Sequence, residues 1–249
     1  MALITYAENN MNLILTMAGR YSRFIDEGYR IPKYLLPWGS RSILEEIIIQ
    51  LKDSEIISNV FLTANKRDEI YMPHVRNILR TLNIPKENLF LIEDTSGQAE
   101  TAYLSLENIK KIFGQINGPI IFHNIDTILY ERDLSQLKHD LEYCDGYIDI
   151  FKSSNHNYSY VLTKNDTVQR IAEKVLISNS ATSGMYAFSD SEKFLKCYSG
   201  DELYISELYN KMLALGNNIK TGKVHNEKNT VVLGTPSEYL MASYLLDLK

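Results

Sequence analysis

The sequence is poor in cysteine and contains no long apolar run. Its 249 residues include only Cys144 and Cys197, which show neither a metal-binding spacing nor a disulfide framework. We expect both to be reduced, buried thiols of a cytoplasmic protein. No apolar stretch approaches the ~18 residues that a membrane-spanning helix needs. Residues 1–10 lack the basic start and apolar stretch of a signal peptide. The sequence therefore predicts a cytoplasmic chain without a membrane partner.

The balance of charge and the absence of two glycine motifs exclude further classes. The formal net charge of −5 argues against general nucleic-acid binding, so any cationic function must lie in a local pocket. No Gly-Lys-Ser/Thr follows the first glycine, and that glycine lacks the partners of a dinucleotide fingerprint. The 45% of hydrophobic residues nevertheless predicts a globular core.

Strand-like and helix-like segments alternate along the chain. Apolar runs predict a first strand that begins at Leu13, and further strands at 60–63, 89–92, 119–122, 146–151, 158–162, 168–172, 219–224 and 230–233. Helical spacing predicts helices at 42–51, 67–82, 97–113, 191–198 and 203–215, with a last helix opening at Pro236. This alternation predicts an α/β fold with a mixed, mainly parallel sheet and helices on both faces. Without a linker or repeat, residues 11–249 are predicted to form one domain after a loose extension at 1–10.

The first strand leads directly into a loop that carries a glycine and two arginines. Gly19 would allow close backbone approach to phosphate oxygens, and Arg23 could bind two of them. Lys33 follows ten residues after Arg23, just past a proline, and could reach a transferring phosphate as a point charge. An open α/β sheet binds phosphorylated ligands at such strand ends. The alternative is an ordinary strand-to-loop junction with surface cations.

Three later segments also carry candidate site residues. After the third strand, Gly97 and Gln98 could contact a flat base, although the same residues suit a helix start capped by Ser96. Asp126 ends the fourth strand and suits Mg²⁺, although a lone Asp is otherwise a common turn former. The pair Glu173-Lys174, taken alone, is an ordinary surface pair.

The order of these motifs resembles that of the sugar-phosphate nucleotidyltransferases, the nucleotide-diphospho-sugar pyrophosphorylase-like family, of the capsule or surface-polysaccharide type. Residues 18–24 and Pro32-Lys33 match its opening loop and Pro-Lys pair, residues 173–188 match its Glu-Lys and Gly-x-Tyr-x-Phe run, and residues 234–236 match its Gly-Thr-Pro turn. The resemblance implies a Rossmann-like, GT-A-like fold with a nucleotide-binding half at 11–130 and an acceptor-binding half at 131–249.

The resemblance also implies roles for individual residues. These are catalytic Arg23 and Lys33; nucleotide-binding Ala18, Gly19, Arg20, Tyr21, Ser22, Gly97 and Gln98; acceptor-binding Glu173, Lys174, Gly184 and Ser206, with Glu202 and Glu207 as weaker candidates beside Ser206; and metal-binding Asp126. Three positions depart from the family pattern. Tyr21 replaces the second loop glycine, Ile125 replaces the glycine before Asp126, and Val232 replaces a second metal-binding Asp.

The implied activity joins a nucleoside triphosphate (NTP) to a sugar 1-phosphate and releases pyrophosphate, with Mg²⁺ as cofactor and a homo-oligomer as a possible assembly. Arg23 would neutralise the β- and γ-phosphates, Lys33 would bridge the α-phosphate and the acceptor, and Lys174 would hold the acceptor phosphate. The product would be an activated precursor for surface polysaccharide.

Three alternatives remain open at this point. A cytidylyltransferase acting on a small non-sugar phosphate shares the motifs. A glycosyltransferase has a similar nucleotide-binding half, but it would want an Asp-x-Asp pair, and none ends a predicted strand. Tyr21 and Val232 also suit a catalytically inactive nucleotide-binding regulatory protein.

Overall fold

One nine-stranded sheet with helices on both faces organises the protein. The computed structural model describes residues 10–53 and 55–247. The predicted loose extension therefore lies outside the described residues, apart from Asn10. Within the described ranges, no helix is both long enough and apolar enough to cross a bilayer.

The strands and helices follow one another along the whole described chain. The strands are Met11–Met17 (β1), Pro37–Trp38 (β2), Arg41–Ser42 (β3), Ile57–Asn65 (β4), Leu89–Ile92 (β5), Ile120–Asn124 (β6), Thr127–Leu129 (β7), Gly146–Lys152 (β8), Ser159–Lys164 (β9), Thr167–Glu173 (β10), Ser180–Phe188 (β11), Ile219–Thr221 (β12) and Thr230–Val232 (β13). The α-helices are Ser22–Asp26 (α1), Ile43–Leu51 (α2), Met72–Thr81 (α3), Gln98–Phe113 (α4), Leu134–Asp140 (α5), Ser191–Cys197 (α6), Ile205–Ala214 (α7) and Pro236–Asp247 (α8). Short 3₁₀ helices cover Lys33–Leu35, Lys66–Tyr71 and Lys86–Asn88.

The strand order creates a crevice beside β1. The order is β5-β4-β1-β6-β11-β8-β12-β10-β9, and β5, β4, β1 and β6 run parallel. From β1 the chain builds outward through β4 and β5, and then returns to the other side of β1 as β6. Ligands of open α/β sheets bind where the strand order reverses in this way, outside the carboxyl ends of the strands. The predicted mixed α/β fold is confirmed, and every antiparallel pair of the nine-stranded sheet involves β10 or β11.

The two faces of the sheet bury separate apolar cores. Every residue of β1 is buried, and successive side chains point to opposite faces. Leu13 and Leu15 pack in the cluster that contains α2 and α3, whereas Ile14 packs in the cluster that contains α4, α6 and α7. A strand that is buried on both sides reads as a continuous apolar run, which is why β1 is recognisable in the sequence.

Some element boundaries differ from the sequence-based prediction. The helix predicted at 67–82 is a 3₁₀ helix, Lys66–Tyr71, followed by α3, because Pro73 in the first turn of α3 starts a new helix rather than continuing one. The strand predicted at 219–224 ends at Thr221, since β12 pairs with β8 at only three positions. The short elements α1, β2, β3, β7 and α5 have too few residues to show a periodic pattern.

A buried ion pair connects the segments around β7, β8 and β13. The side chains of Arg132 and Asp149 are each 2% exposed, and the two groups meet at 2.9 Å. The guanidinium also donates to the carbonyls of Tyr130 and Asn229 and to the hydroxyl of Thr230. All its donors are therefore satisfied, which a charge at this depth requires.

Removing Arg132 is expected to destabilise the fold strongly. Arg132→Ala leaves the Asp149 carboxylate buried without its cation, so the free energy of unfolding should fall by about 3–5 kcal/mol. Urea unfolding, monitored by circular dichroism, measures this free energy. Lys66→Ala is the matched control, because it removes an exposed cation from the Lys66–Glu93 pair and should leave the midpoint unchanged. Equal midpoints for both variants would contradict a structural role for the buried pair.

Candidate functional site

A cavity of about 560 Å³ opens at the carboxyl ends of the parallel strands. We call it the crevice. The residues that line it are Thr16, Met17, Ala18, Gly19, Arg20, Tyr21, Lys33, Tyr34, Arg67, Asp94, Thr95, Ser96, Gly97, Gln98, Thr101, Asn124, Ile125, Asp126 and Tyr204. The predicted site residues among them are Ala18, Gly19, Arg20, Tyr21, Lys33, Gly97, Gln98 and Asp126. The structure thus brings together residues that are separated by more than a hundred positions in sequence.

The centre of the crevice holds an ion pair between Lys33 and Asp126. The Lys33 Nζ atom lies 2.9 Å from Asp126 Oδ2, and the two side chains are 14% and 31% exposed. Burial opposes ionisation of the carboxyl, but the charge and hydrogen bond of Lys33 outweigh it and hold the pKa of Asp126 below its ordinary value. The backbone carbonyl of Asp126 accepts a hydrogen bond from Leu233 N at 2.7 Å. A cation and a carboxylate are therefore fixed side by side where a phosphorylated ligand could bind.

The donor set around Asp126 fits a divalent cation that also binds substrate phosphates. Across the described residues, no group of three or more His, Cys, Asp or Glu side chains is placed to hold a metal alone. Mg²⁺ commonly uses one or two protein carboxylates and completes its shell with phosphates and water. Val232 lines a separate groove of about 1230 Å³ beside α8 and not the crevice, so its replacement of an Asp leaves Asp126 as the motif-matched ligand.

Two guanidinium groups flank the opening loop. Arg67 donates to the Ala18 carbonyl at 2.8 Å and pairs with Asp94 at 2.9 Å. Arg20 contacts the other oxygen of Asp94 at 3.1 Å. Asn65, at the end of β4, donates to Asp94 as well. The residues that follow β4 and β5 thus bind the loop that follows β1, and they bring positive charge to the crevice of an acidic protein.

Tyr21 adopts the backbone conformation that the missing glycine would favour. Its φ of 38° and ψ of 34° are left-handed, which costs an ordinary residue about 1–2 kcal/mol. The Tyr21 hydroxyl donates to Asp68 Oδ1 at 2.6 Å, and the Tyr34 hydroxyl donates to Asp68 Oδ2 at 2.9 Å. Burial, together with the charge and hydrogen bonds of Asp68, raises the pKa of both tyrosines far above the ordinary value. Both hydroxyls therefore stay protonated and remain donors at neutral pH.

Gly97 and Gln98 are shaped by contacts with the segment before α7. A Cβ atom on Gly97 would lie 2.3 Å from the Leu203 carbonyl oxygen, so only glycine fits. The Gln98 amide donates to Asn124 Oδ1 at the end of β6, and its oxygen accepts from Ile205 N at 3.3 Å. Gln98 thus links the end of β6 to the start of α7. A nucleotide base could bind the Gln98 amide only by displacing Asn124 or Ile205. Nucleotide binding by Gly97 and Gln98 stays a prediction.

Three of the predicted acceptor residues lie behind or beside the crevice wall. Glu173 accepts hydrogen bonds from the hydroxyls of Ser159 and Ser206, the latter at 3.2 Å. Lys174 Nζ lies 3.2 Å from the Tyr204 hydroxyl and 5.3 Å from the centre of its ring. Because Tyr204 lines the crevice, Lys174 reaches the rim through this one side chain.

Gly184, the fourth predicted acceptor residue, lies against the end of β6. Its φ of 88° falls in the left-handed region, and a Cβ atom there would meet Asn124 Nδ2 at 2.8 Å. The position coincides with a register shift between β11 and β8. Gly184 therefore allows β11 to bend past Asn124, which itself lines the crevice.

Two predicted residues of the opening loop lie away from the crevice. Ser22 and Arg23 form the exposed first turn of α1. Arg23 lines a separate groove with Thr235 and Pro236 at the start of α8. Phe24, the next residue, is buried in the core, whereas Arg23 is exposed. The structure thus separates the two predicted catalytic residues, and the role of Arg23 stays a prediction.

Sequence analysis missed several residues that build the crevice. They are Asn65, Arg67, Asp68, Asp94, Asn124 and Tyr204. All except Tyr204 lie at or just after the carboxyl ends of β4, β5 or β6. The rule that singled out Asp126, a polar side chain at the end of a parallel strand, would have found Asn65, Arg67, Asp94 and Asn124. It does not reach Asp68, which lies inside a 3₁₀ helix. Tyr204 carries no such signal, because a loop contact brings it to the rim.

Comparisons with known proteins place this arrangement in context. No established protein-family profile matches the chain. It is 25% identical over 240 residues to a bifunctional protein GlmU from Methanococcus aeolicus, a match that covers 94% of this chain and 54% of that protein. The chain thus spans about half the length of that curated relative.

Solved structures share the whole fold. A nucleoside-diphosphate-sugar pyrophosphorylase from Vibrio cholerae RC9 is 27% identical, with a TM-score of 0.82 over 93% of this chain and 99% of that one. A putative glucose-1-phosphate thymidylyltransferase from Bacillus anthracis is 17% identical, with a TM-score of 0.76 over 95% of each chain. The second likeness shows the fold alone. The fold is that of the nucleotide-diphospho-sugar pyrophosphorylase structures.

Proposed function

We propose that this protein is a Mg²⁺-dependent nucleotidyltransferase that joins an NTP to a sugar 1-phosphate and releases pyrophosphate. The observation that carries the proposal is the contact between Lys33 and Asp126, 2.9 Å apart in a crevice that the glycine-bearing loop also lines. The proposal includes a cytoplasmic location, no nucleic-acid partner, and a product that serves as precursor for surface polysaccharide.

The proposed reaction needs positioning and charge neutralisation more than proton transfer. The acceptor phosphate is already ionised at neutral pH, so it attacks the α-phosphorus without a general base, and pyrophosphate leaves. Lys33 would bridge the α-phosphate and the acceptor, since its ammonium lines the crevice and is mostly shielded from water. A fixed cation in such a site stabilises developing charge without reorganisation.

Other cations would share the charge of the triphosphate. Arg20 and Arg67 already line the crevice, whereas Arg23 would have to turn away from the groove beside α8. Bound Mg²⁺ would be held by Asp126 and would supply polarisation of the α-phosphate. Lys174, at the rim beside Tyr204, would bind the acceptor phosphate.

A ligand screen followed by a turnover assay tests the proposal. A cognate NTP with Mg²⁺ at ~100 times its Kd should stabilise the protein by about 2.7 kcal/mol in a thermal-shift screen. Pyrophosphate release is then measured with that NTP and a panel of sugar 1-phosphates, small non-sugar phosphates and phosphate-free sugars. Release with a sugar 1-phosphate supports the proposal. Release from CTP with only a non-sugar phosphate identifies a cytidylyltransferase, and stabilisation without release identifies an inactive binding protein.

Lys33→Ala is expected to lower kcat/KM by on the order of 10²-fold or more, because it removes a charge-assisted contact from a shielded site. Initial rates of pyrophosphate release measure kcat/KM, and circular dichroism checks the fold.

Arg23→Ala is the companion variant and should reduce kcat/KM about tenfold if the guanidinium turns toward the β- and γ-phosphates. Normal turnover of Lys33→Ala would remove the proposed centre of catalysis. Normal turnover of Arg23→Ala would assign Arg23 to the groove alone.

Asp126→Asn should shift the Mg²⁺ dependence of the reaction. The variant keeps the shape of the side chain but loses its charge, so half-maximal pyrophosphate release should need at least tenfold more Mg²⁺ and be partly restored by excess metal. Thermal shift with Mg²⁺ and a non-hydrolysable NTP gives a second readout that is independent of turnover. Asp133→Asn, a carboxylate that only caps α5, is the control. Superimposable Mg²⁺ curves for Asp126→Asn and wild type would exclude Asp126 as the metal ligand.

Lys174→Ala should affect the acceptor and spare the nucleotide. Loss of the ammonium at the rim is expected to raise KM for the sugar 1-phosphate about tenfold, with KM for the NTP unchanged. Steady-state kinetics with each substrate varied in turn measures both constants. Lys164→Ala, a lysine at the far end of β9, is the matched control. A rise confined to the NTP constant would reverse the assignment of Lys174.

A further inference from the structure

A buried carboxylate joins two separate segments of the crevice wall. Asp68 is fully buried and accepts the hydroxyls of Tyr21 and Tyr34, one on each oxygen. Tyr21 belongs to the loop after β1, and Tyr34 directly follows Lys33 in the 3₁₀ turn Lys33–Leu35. Asp68 lies in the first turn of the 3₁₀ helix after β4. We call Asp68 with these two tyrosines the clamp.

The clamp is built on strong hydrogen bonds. Hydrogen bonds to an ionised acceptor are shorter and stronger than neutral ones, and the Tyr21 contact is 2.6 Å long. A carboxylate that is fully removed from water depends on such donors. Tyr34 is itself completely buried, so its hydroxyl has no water to replace Asp68. Removing either hydroxyl therefore weakens the attachment of one segment of the wall.

Each arm of the clamp controls a different part of the crevice. The first arm holds Tyr21 in a left-handed conformation that the side chain itself disfavours, and this fixes the path of the loop at Gly19 and Arg20. The second arm fixes the residue next to Lys33, whose ammonium meets Asp126. The loop and the turn that carries Lys33 are thus both attached to the same buried carboxylate before any substrate binds.

We propose that Asp68 is a positioning residue that, through Tyr21 and Tyr34, preorganises both the phosphate-facing loop and Lys33. For its kinetic consequences this inference rests on the proposed nucleotidyl transfer. The clamp itself is a property of the substrate-free protein. Groups that are already fixed lower the ordering cost of binding and the reorganisation cost of reaction. The hydrogen bond to Asp68 therefore holds Tyr21 in the left-handed conformation that a second glycine would reach through its greater conformational freedom.

A second contact holds the same loop and must be separated from the clamp. Arg67 donates to the Ala18 carbonyl, three residues before Tyr21. A substitution of Asp68 would give an ambiguous result, because it could also displace the adjacent Arg67 or destabilise the buried site. Tyr21→Phe and Tyr34→Phe avoid the difficulty, since each deletes one oxygen atom, keeps the ring and leaves Arg67 in place.

The structural arm of the test uses hydrogen exchange on the substrate-free protein. The amides of Phe24 and Ile25 donate to the Tyr21 carbonyl, and those of Leu35 and Leu36 belong to the turn that carries Lys33. Tyr21→Phe should accelerate exchange at the first pair about tenfold, and Tyr34→Phe at the second. Tyr160→Phe is the control, because the buried Tyr160 of β9 donates its hydroxyl to the Asn155 carbonyl and contacts no member of the clamp. Unchanged exchange in both clamp variants overturns the proposal.

The kinetic arm separates positioning from general stability. Tyr21→Phe should raise KM for the NTP about tenfold with the acceptor KM unchanged, whereas Tyr34→Phe should mainly lower kcat through Lys33. Because both hydroxyls act on one carboxylate, the double variant should lose less than the product of the single losses. Tyr21→Gly supplies the left-handed conformation without the hydroxyl and should not restore the wild-type KM. Wild-type kinetics in both clamp variants overturns the positioning role.

Failure of the proposed function gives a different result. If wild-type protein releases no pyrophosphate with any substrate pair, nucleotidyl transfer fails, and with it the kinetic role of Asp68. Faster exchange in the clamp variants would in that case still establish the tether as a structural feature.

Discussion

Parallel strands that end at one edge are the constraint on which the site depends. Consecutive parallel strands need crossover connections, so each strand delivers its next loop to the same edge of the sheet. The loop at Gly19, the residues at Arg67 and Asp94, and Asp126 all arrive there in this way. Lys33, Tyr34 and Tyr204 come by longer excursions of the chain. The crevice is therefore a consequence of topology, and local sequence decides only which groups point into it.

Charge inside the crevice is already paired before substrate binds. Lys33 meets Asp126, and Arg20 and Arg67 share Asp94. These pairs hold the cations in place in a protein of net charge −5. The triphosphate of the proposed reaction would have to exchange these carboxylate contacts for phosphate contacts. The exchange costs little at Arg20 and Asp94, whose side chains are 69% and 50% exposed and well solvated. The exchange costs more at Lys33, because its pair with Asp126 is shielded from water. A metal ion bound to Asp126 would replace the charge of Lys33 there and so favour release of the lysine.

Sequence reasoning identified what local pattern encodes. It found β5 at its observed limits and singled out Asp126 at the end of a strand, because apolar runs and strand ends are visible in a single segment. It could not find Asp68, since a buried Asp in a short 3₁₀ helix resembles a surface turn until Tyr21 and Tyr34 are folded against it. It also could not predict which cavity Arg23 lines, because that depends on how its neighbour Phe24 packs in the core.

The departure at Tyr21 shows why residue identity and residue role must be argued separately. A glycine in the loop permits a left-handed backbone but also permits many others, so its freedom is lost on ordering. A tyrosine there resists the conformation, yet its hydroxyl reaches a buried carboxylate that also holds the turn bearing Lys33. Tyrosine at this position therefore replaces the flexibility of a glycine with a tether to Asp68, and its backbone is left-handed, a conformation that glycine adopts readily. A missing glycine at this position is thus compatible with an intact, preorganised site.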